Sequence, residues 1–181
     1  MYKRQELNDG ILTLWGVQNT NHPEDPSAYL TGGLWGLDKK AFTMGRIDIR
    51  AKFDSAQGFW PALWLLPQDG DAPNSGYGEL DIVEHLNFDP YVHMTLHSEY
   101  TNLVDKVNTP NAVQAPFNEG EFNIYGVEVH EDKVVYLVNN KEVYSYPRLY
   151  PEIPGQFPFY GQKQFYVILS CLLYTSPSPR D

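Results

Sequence analysis

Glu79, Asp81 and Glu84 are the residues of this sequence best suited to chemistry. They lie in Gly78-Glu79-Leu80-Asp81-Ile82-Val83-Glu84-His85, where three carboxylates fall within six residues, separated by large aliphatics. A solvated acidic run has no need of such regular apolar partners. The pattern is that of a strand with one face in a core and acids on the other. Plain alternation puts Glu79 and Asp81 on one face and Glu84 on the opposite one. One extra residue at Ile82-Val83, a β-bulge, returns Glu84 to the face of Glu79. Bulges are enriched beside active sites because they re-aim a side chain in this way.

With the bulge, Glu79 and Glu84 stand four strand steps apart, so their Cα atoms are separated by roughly 13 Å. Each side chain can cover roughly 4 Å of that gap. About 5 Å then remains between carboxyl groups that lean together, the spacing of a retaining glycosidase pair. In that mechanism one carboxylate attacks the sugar and the other protonates the leaving oxygen. Asp81, between them, can share a proton with Glu79 or hold it in place, and the crowded charge keeps one Glu protonated near neutral pH. Other readings fit less well. Hard oxygen ligands suit calcium, but the spacing is not that of a calcium-binding loop. A zinc site at His85 would need a second His or Cys at ligand spacing, and there is none.

Glu-Leu-Asp-Ile-Val-Glu resembles the Glu-x-Asp-x-x-Glu signature of glycoside hydrolase family 16. The flanking blocks are similar too: Gly45 to Lys52 and Gly58 to Pro67 before it, Val92 to His97 after it. The resemblance spans about residues 6 to 170. It implies an all-β fold, a concanavalin A-like sandwich or jelly roll of two antiparallel sheets. It also implies a retaining endo-hydrolase with Glu79 as nucleophile, Glu84 as general acid/base and Asp81 as helper. The extra residue before Glu84 is typical of laminarinases and of several galactan-cleaving members. The expected activity is therefore cleavage of β-1,3- or mixed β-1,3(1,4)-glucan. The alternatives are a β-galactan hydrolase and a lectin-like binding module, which would keep the aromatics and lose the acids. No cofactor and no catalytic metal are expected. A structural calcium ion is compatible with the family, but no ligand set for it is readable. Many laminarinases carry Arg near Thr31-Gly32-Gly33; this chain has Gly, so no sugar contact is assigned there.

The elements that must hold these acids are strands. Aromatic residues make up 14 % of the chain, and no long segment has a helical period. Arg46 to Phe53 alternates strictly, with Ile47, Ile49, Ala51 and Phe53 on one face. Its charged face reads as a sheet surface with cross-strand pairs. Trp60 and Trp64 share a face and can form a platform for sugar rings, while Leu63 and Leu65 supply the buried side. His93, Thr95 and His97 share a face of the next strand; His97 is assigned to the substrate and His93 to structure. Asn102 to Gly120 reads as one long loop. Strands follow at Phe122 to Val129, Val134 to Val138, Glu142 to Tyr146 and Phe165 to Ser170, with Asn139-Asn140 as a tight hairpin turn.

The two ends read differently. Residues 1–5 and 171–181 resemble the translation of a sequencing-library adaptor, leaving residues 6–170 as a partial catalytic domain, expected to lack strands of the sandwich and to fold poorly alone. Without those ends, ten basic residues face twenty-two acids, a net charge of −12 against −10 for the whole chain. That opposes binding to nucleic acid or anionic membranes and suits a neutral substrate. No membrane-spanning segment is present. A monomer acting on a polysaccharide outside the cell or in the periplasm is expected.

Overall fold

The computed structural model describes residues 4–20, 27–70, 76–105 and 109–173. Most of the two adaptor-like ends, and parts of the expected loops at Asn19–Ser27, Pro67–Gly78 and Asn102–Gly120, lie outside the described residues. In chain order the strands are β1 (Gln5–Asn8), β2 (Ile11–Leu14), β3 (Gly16–Gln18), β4 (Tyr29–Thr31), β5 (Gly33–Trp35), β6 (Gly45–Ala51), β7 (Phe59–Pro67), β8 (Gly78–Glu84) and β9 (Tyr91–Ser98). A one-turn helix, α1 (Glu99–Leu103), precedes β10 (Ala112–Pro116), β11 (Asn123–Val129), β12 (Lys133–Val138), β13 (Lys141–Pro147) and β14 (Phe165–Leu173).

Two antiparallel sheets make the sandwich. One has six strands in the order β10-β9-β8-β7-β14-β5, the other four in the order β13-β12-β11-β6, and two small two-stranded sheets, β1-β2 and β3-β4, complete the described strands. The core is built from alternate residues of the two inner faces. Leu63, Leu65, Leu80, Val83, Val92, Met94 and Leu96 come from the six-stranded sheet; Tyr125, Val127, Val129, Val134, Tyr136 and Val138 come from the four-stranded one. Each such side chain contributes roughly 1.5–3 kcal/mol by leaving water, so the register of every strand is fixed by its apolar face.

β6 shows how the pattern works. Ile47, Ile49 and Ala51 pack against the core. On the outer face Arg46 bridges to Asp48 at 2.9 Å and, across the strand pair, to Glu128 at 3.2 Å, and Arg50 lies over the Phe122 ring. The hairpin between β12 and β13 turns at Asn139 and Asn140, whose φ angles of 51° and 64° are the left-handed values that a tight turn needs and that Asn tolerates.

Two expectations need correction. Asn102 to Gly120 is not one loop. Ser98 caps α1, its hydroxyl accepting from the Thr101 amide while Thr101 Oγ1 accepts from the Ser98 amide. Farther on, β10 pairs with β9 as an edge strand, with Ala115 buried and Pro116 tolerated because it sits on the edge. The period-two signal was hidden because the strand is short and carries Gln114 and Pro116 among small residues. The last strand also runs past Ser170: Cys171, Leu172 and Leu173 pair with Pro61, Trp60 and Phe59, and Cys171 is buried.

One bond ties the two sheets together at the acidic strand's neighbour. Tyr136 of β12 crosses the core and donates its hydroxyl to the Thr95 carbonyl of β9 at 2.7 Å. Tyr125, equally buried, has no hydrogen-bond partner for its hydroxyl. Removing one member of a buried pair costs more than removing an unpaired group. Tyr136→Phe should therefore destabilise the fold by about 1–2 kcal/mol, or roughly 3–6 °C in melting temperature. Tyr125→Phe should leave the melting temperature unchanged or higher. Thermal unfolding followed by circular dichroism distinguishes the two.

Candidate active site

β8 lies between β7 and β9, and its irregularity is visible from both sides. Against β7, Asp81 stands opposite Trp64 and Val83 opposite Leu63, which leaves Ile82 unmatched. Against β9, Asp81 stands opposite Thr95 and Glu84 opposite His93, so Ile82 and Val83 together face Met94 alone. This is the extra residue that the phase of the acids required. Ile82 and Val83 are both fully buried, which is the energetic reason for the distortion: two consecutive apolar residues turn toward the core and the acid after them is returned to the outer face. Pairing resumes beyond it, with the His85 amide on the Pro61 carbonyl and the Asn87 amide on the Phe59 carbonyl.

The register then places Glu79, Asp81 and Glu84 on the same outward face. His97, Thr95 and His93 stand opposite them on β9. Ala62 and Trp64 flank them on β7, and Ser170 and Ile168 continue the row on β14, next to Trp35 on β5. His85 takes the other side. It is fully buried, stacked on Phe53 and edge-on to Phe117, with Nε2 on the Asp89 carbonyl.

Each acid has its own donor. Trp60 Nε1 donates to Glu84 Oε1 at 2.7 Å, and Tyr77 donates its hydroxyl to Glu79 Oε2. His97 Nε2 lies 3.3 Å from Asp81 Oδ2 and its Nδ1 3.2 Å from Asn102 Oδ1. Trp64 is turned to Ser170, its Nε1 donating to the hydroxyl at 3.2 Å. Of the six residues singled out in the sequence, five therefore meet around the acids, and Trp64 lies beside them on the same face. Sequence reasoning missed Tyr77, Asn102 and Ser170. It also set His93 aside, although His93 faces Glu84 across the strand pair and is held 3.2 Å from Asp89. The period-two spacing of His93 with His97 was the signal available.

Burial governs the charges. It pushes the Asp81 carboxyl up to about 7, against the His97 hydrogen bond and with the charges of Glu84 and Glu79 adding to the rise. The hydrogen bond to Asp81 is the main cause that lifts His97 to about 9. The imidazole thus holds its proton more firmly than the carboxyl, and the pair is imidazolium–carboxylate between about pH 7 and about pH 9. Glu84 is also raised, first by burial and further by Glu79, against the Trp60 N–H and the two histidines. It keeps a proton to higher pH than a solvated Glu. Glu79, Asp81 and His97 also bring one ligand atom each within 4.8 Å of one another, the group of this kind found among the described residues. In it, His97 Nε2 is already turned to Asp81.

The comparisons with known proteins bear on the family and the fold. The family model described as glycosyl hydrolases family 16 matches residues 16–173. A keratan-sulfate endo-1,4-beta-galactosidase of Sphingobacterium multivorum is 30% identical over 164 residues, 90% of this chain and 38% of that protein. A beta-glucanase of Rhodothermus marinus is 30% identical over 136 residues, 72% of this chain and 47% of that protein. The chain spans less than half the length of either relative. The laminarinase structure from Rhodothermus marinus shares the fold, with a TM-score of 0.76 and 24% identity over 94% of this chain and 69% of that one. With the match running from β3 through the last residue of β14, the chain belongs to family 16 of the glycosyl hydrolases.

Proposed function

We propose that the protein is a retaining endo-glycoside hydrolase that cleaves β-1,3- or mixed β-1,3(1,4)-glucan by double displacement. The observation that carries this reading is the bulge at Ile82, which sets Glu79 and Glu84 on one face with Asp81 between them. Glu79 attacks the anomeric carbon as Glu84 gives its proton to the leaving oxygen. Glu84, now ionised, takes a proton from water, which displaces Glu79 from the sugar. Asp81, paired with His97, keeps a negative charge beside the developing oxocarbenium ion. Trp60 and Trp64 supply apolar surface for sugar rings. No cofactor takes part, and a calcium ion, if the protein holds one, is structural.

Charge bears on the substrate. Among the described residues in register on the outward face of the six-stranded sheet, around the acids, there is no Lys or Arg. The whole chain carries −10. A sulfated polymer would be repelled, and a neutral glucan is not. Cleavage of a β-galactan, an agar-like polymer or a host O-glycan, is the second reading; it is favoured by the relative from Sphingobacterium multivorum, whose name is that of a keratan-sulfate endo-1,4-beta-galactosidase. A lectin-like role is disfavoured because all three acids are present. An extracellular or periplasmic site suits a polymeric substrate that cannot enter the cell, and the protein is proposed to act as a monomer. No helix among the described residues is long and apolar enough to cross a membrane.

Release of reducing ends from laminarin, mixed-linkage glucan, agarose and a sulfated galactan tests the substrate. Glu79→Gln and Glu84→Gln should each lower turnover by about three orders of magnitude or more, losing nucleophilic or acid–base catalysis, while Glu79→Gln should still bind glucan. Proton NMR of the first product should show retained configuration; inversion would sink the mechanism. The pH profile tests Glu84. The Trp60 N–H favours its ionised form, so Trp60→Phe should raise its pKa further. The basic limb of kcat/KM should move up by about one pH unit, with kcat reduced.

A further inference from the structure

We infer that Tyr77 is a positioning residue for the nucleophile: its phenol holds one oxygen of Glu79 so that the other faces the anomeric carbon. This rests on the hydrolase reading above. Tyr77 lies two residues before Glu79, on the same side of the strand, and its hydroxyl donates to Glu79 Oε2. The terminal torsion of a Glu side chain has a broad, two-fold profile, so a carboxylate without a donor swings between equivalent poses. A single phenol hydrogen removes that freedom.

The backbone around Tyr77 explains why the phenol stays in place. It is flanked by two glycines that press against the crossing loop before β14. Gly76 has φ +71°, and a Cβ added there would lie 3.2 Å from Pro158. A Cβ on Gly78 would lie 2.8 Å from the Phe159 ring and 3.0 Å from Pro158. Phe159 is fully buried, edge-on to Phe157 and stacked on Phe165. The chain thus enters β8 against a rigid wall and cannot slide along it without opening the core.

The choice of donor also has a chemical sense. Asp81 is held by an imidazolium, whose charge stabilises a spectator carboxylate. A cation on Glu79 would blunt its nucleophilicity. A neutral phenol orders the carboxylate without adding charge.

The test uses the full chain, with turnover on laminarin read as kcat and KM. Tyr77→Phe should lower kcat about tenfold with KM within about twofold. Replacing Tyr77 with 3-fluorotyrosine, which keeps the donor in nearly the same shape, should leave kcat within about twofold of the parent. A kcat unchanged in Tyr77→Phe, or one lost equally with 3-fluorotyrosine, overturns the inference. If the parent itself turns over no glucan or galactan, the hydrolase reading fails instead. Carboxyl 13C NMR of Glu79 then decides the contact, and superimposable Glu79 carboxyl signals in the parent and Tyr77→Phe overturn it.

Discussion

The site depends on a single surplus residue in β8. The strand must satisfy two faces: aliphatics toward the four-stranded sheet and three acids away from it. Regular alternation cannot place both Val83 in the core and Glu84 outside it while Ile82 is also buried. The chain resolves this by giving up one rung of pairing at Ile82. The cost of the lost rung is offset by two fully buried side chains and by pairing that resumes at once on the far side through His85 and Asn87. Tyr136 reinforces the same place from across the core, gripping the β9 carbonyl of Thr95, the residue opposite Asp81. Packing, not the acids themselves, sets the geometry of the carboxylates.

Charge is handled one acid at a time. Three carboxylates on one face repel one another, and burial makes that repulsion stronger. A phenol, an imidazole and an indole each take one of them. These three donors differ in charge and in how much negative charge they tolerate opposite them, so acids on the same strand can adopt different protonation states. Differentiation of like groups by environment is what a double displacement needs, one group ionised and one protonated at the same pH.

Much of this was legible from period two alone. The acids, their faces and the need for an extra residue at Ile82-Val83 follow from counting along one strand, because that strand is buried on one side and its phase is unforgiving. β6 and the Asn139-Asn140 turn were legible for the same reason. β10 was not, since an edge strand with Gln114 and Pro116 presents little apolar signal, and α1 is too short to show a period. Tyr77 escaped because what fixes its backbone is the packing of the flanking Gly76 and Gly78 against Pro158 and Phe159, some eighty residues away in sequence. His93 was visible but ambiguous, because strand spacing gives the face of a histidine and not its partner.

The four tryptophans of the chain are unevenly placed. Trp60 and Trp64 lie on β7, Trp35 on the edge strand β5, and Trp15 just before β3; none lies on the four-stranded sheet. The buried aromatics of that second sheet are tyrosines, Tyr125, Tyr136 and Tyr146. Indole emission therefore reports nothing of the four-stranded sheet, while Trp60 and Trp64 sit beside the acids. Tyrosines are spread over both sheets, with Tyr77 on Glu79 and Tyr91 and Tyr166 on the six-stranded one. A sugar settling over the acids would dry Trp60 and Trp64 and leave the buried Tyr125, Tyr136 and Tyr146 untouched, whereas loss of the sandwich would expose those tyrosines as well.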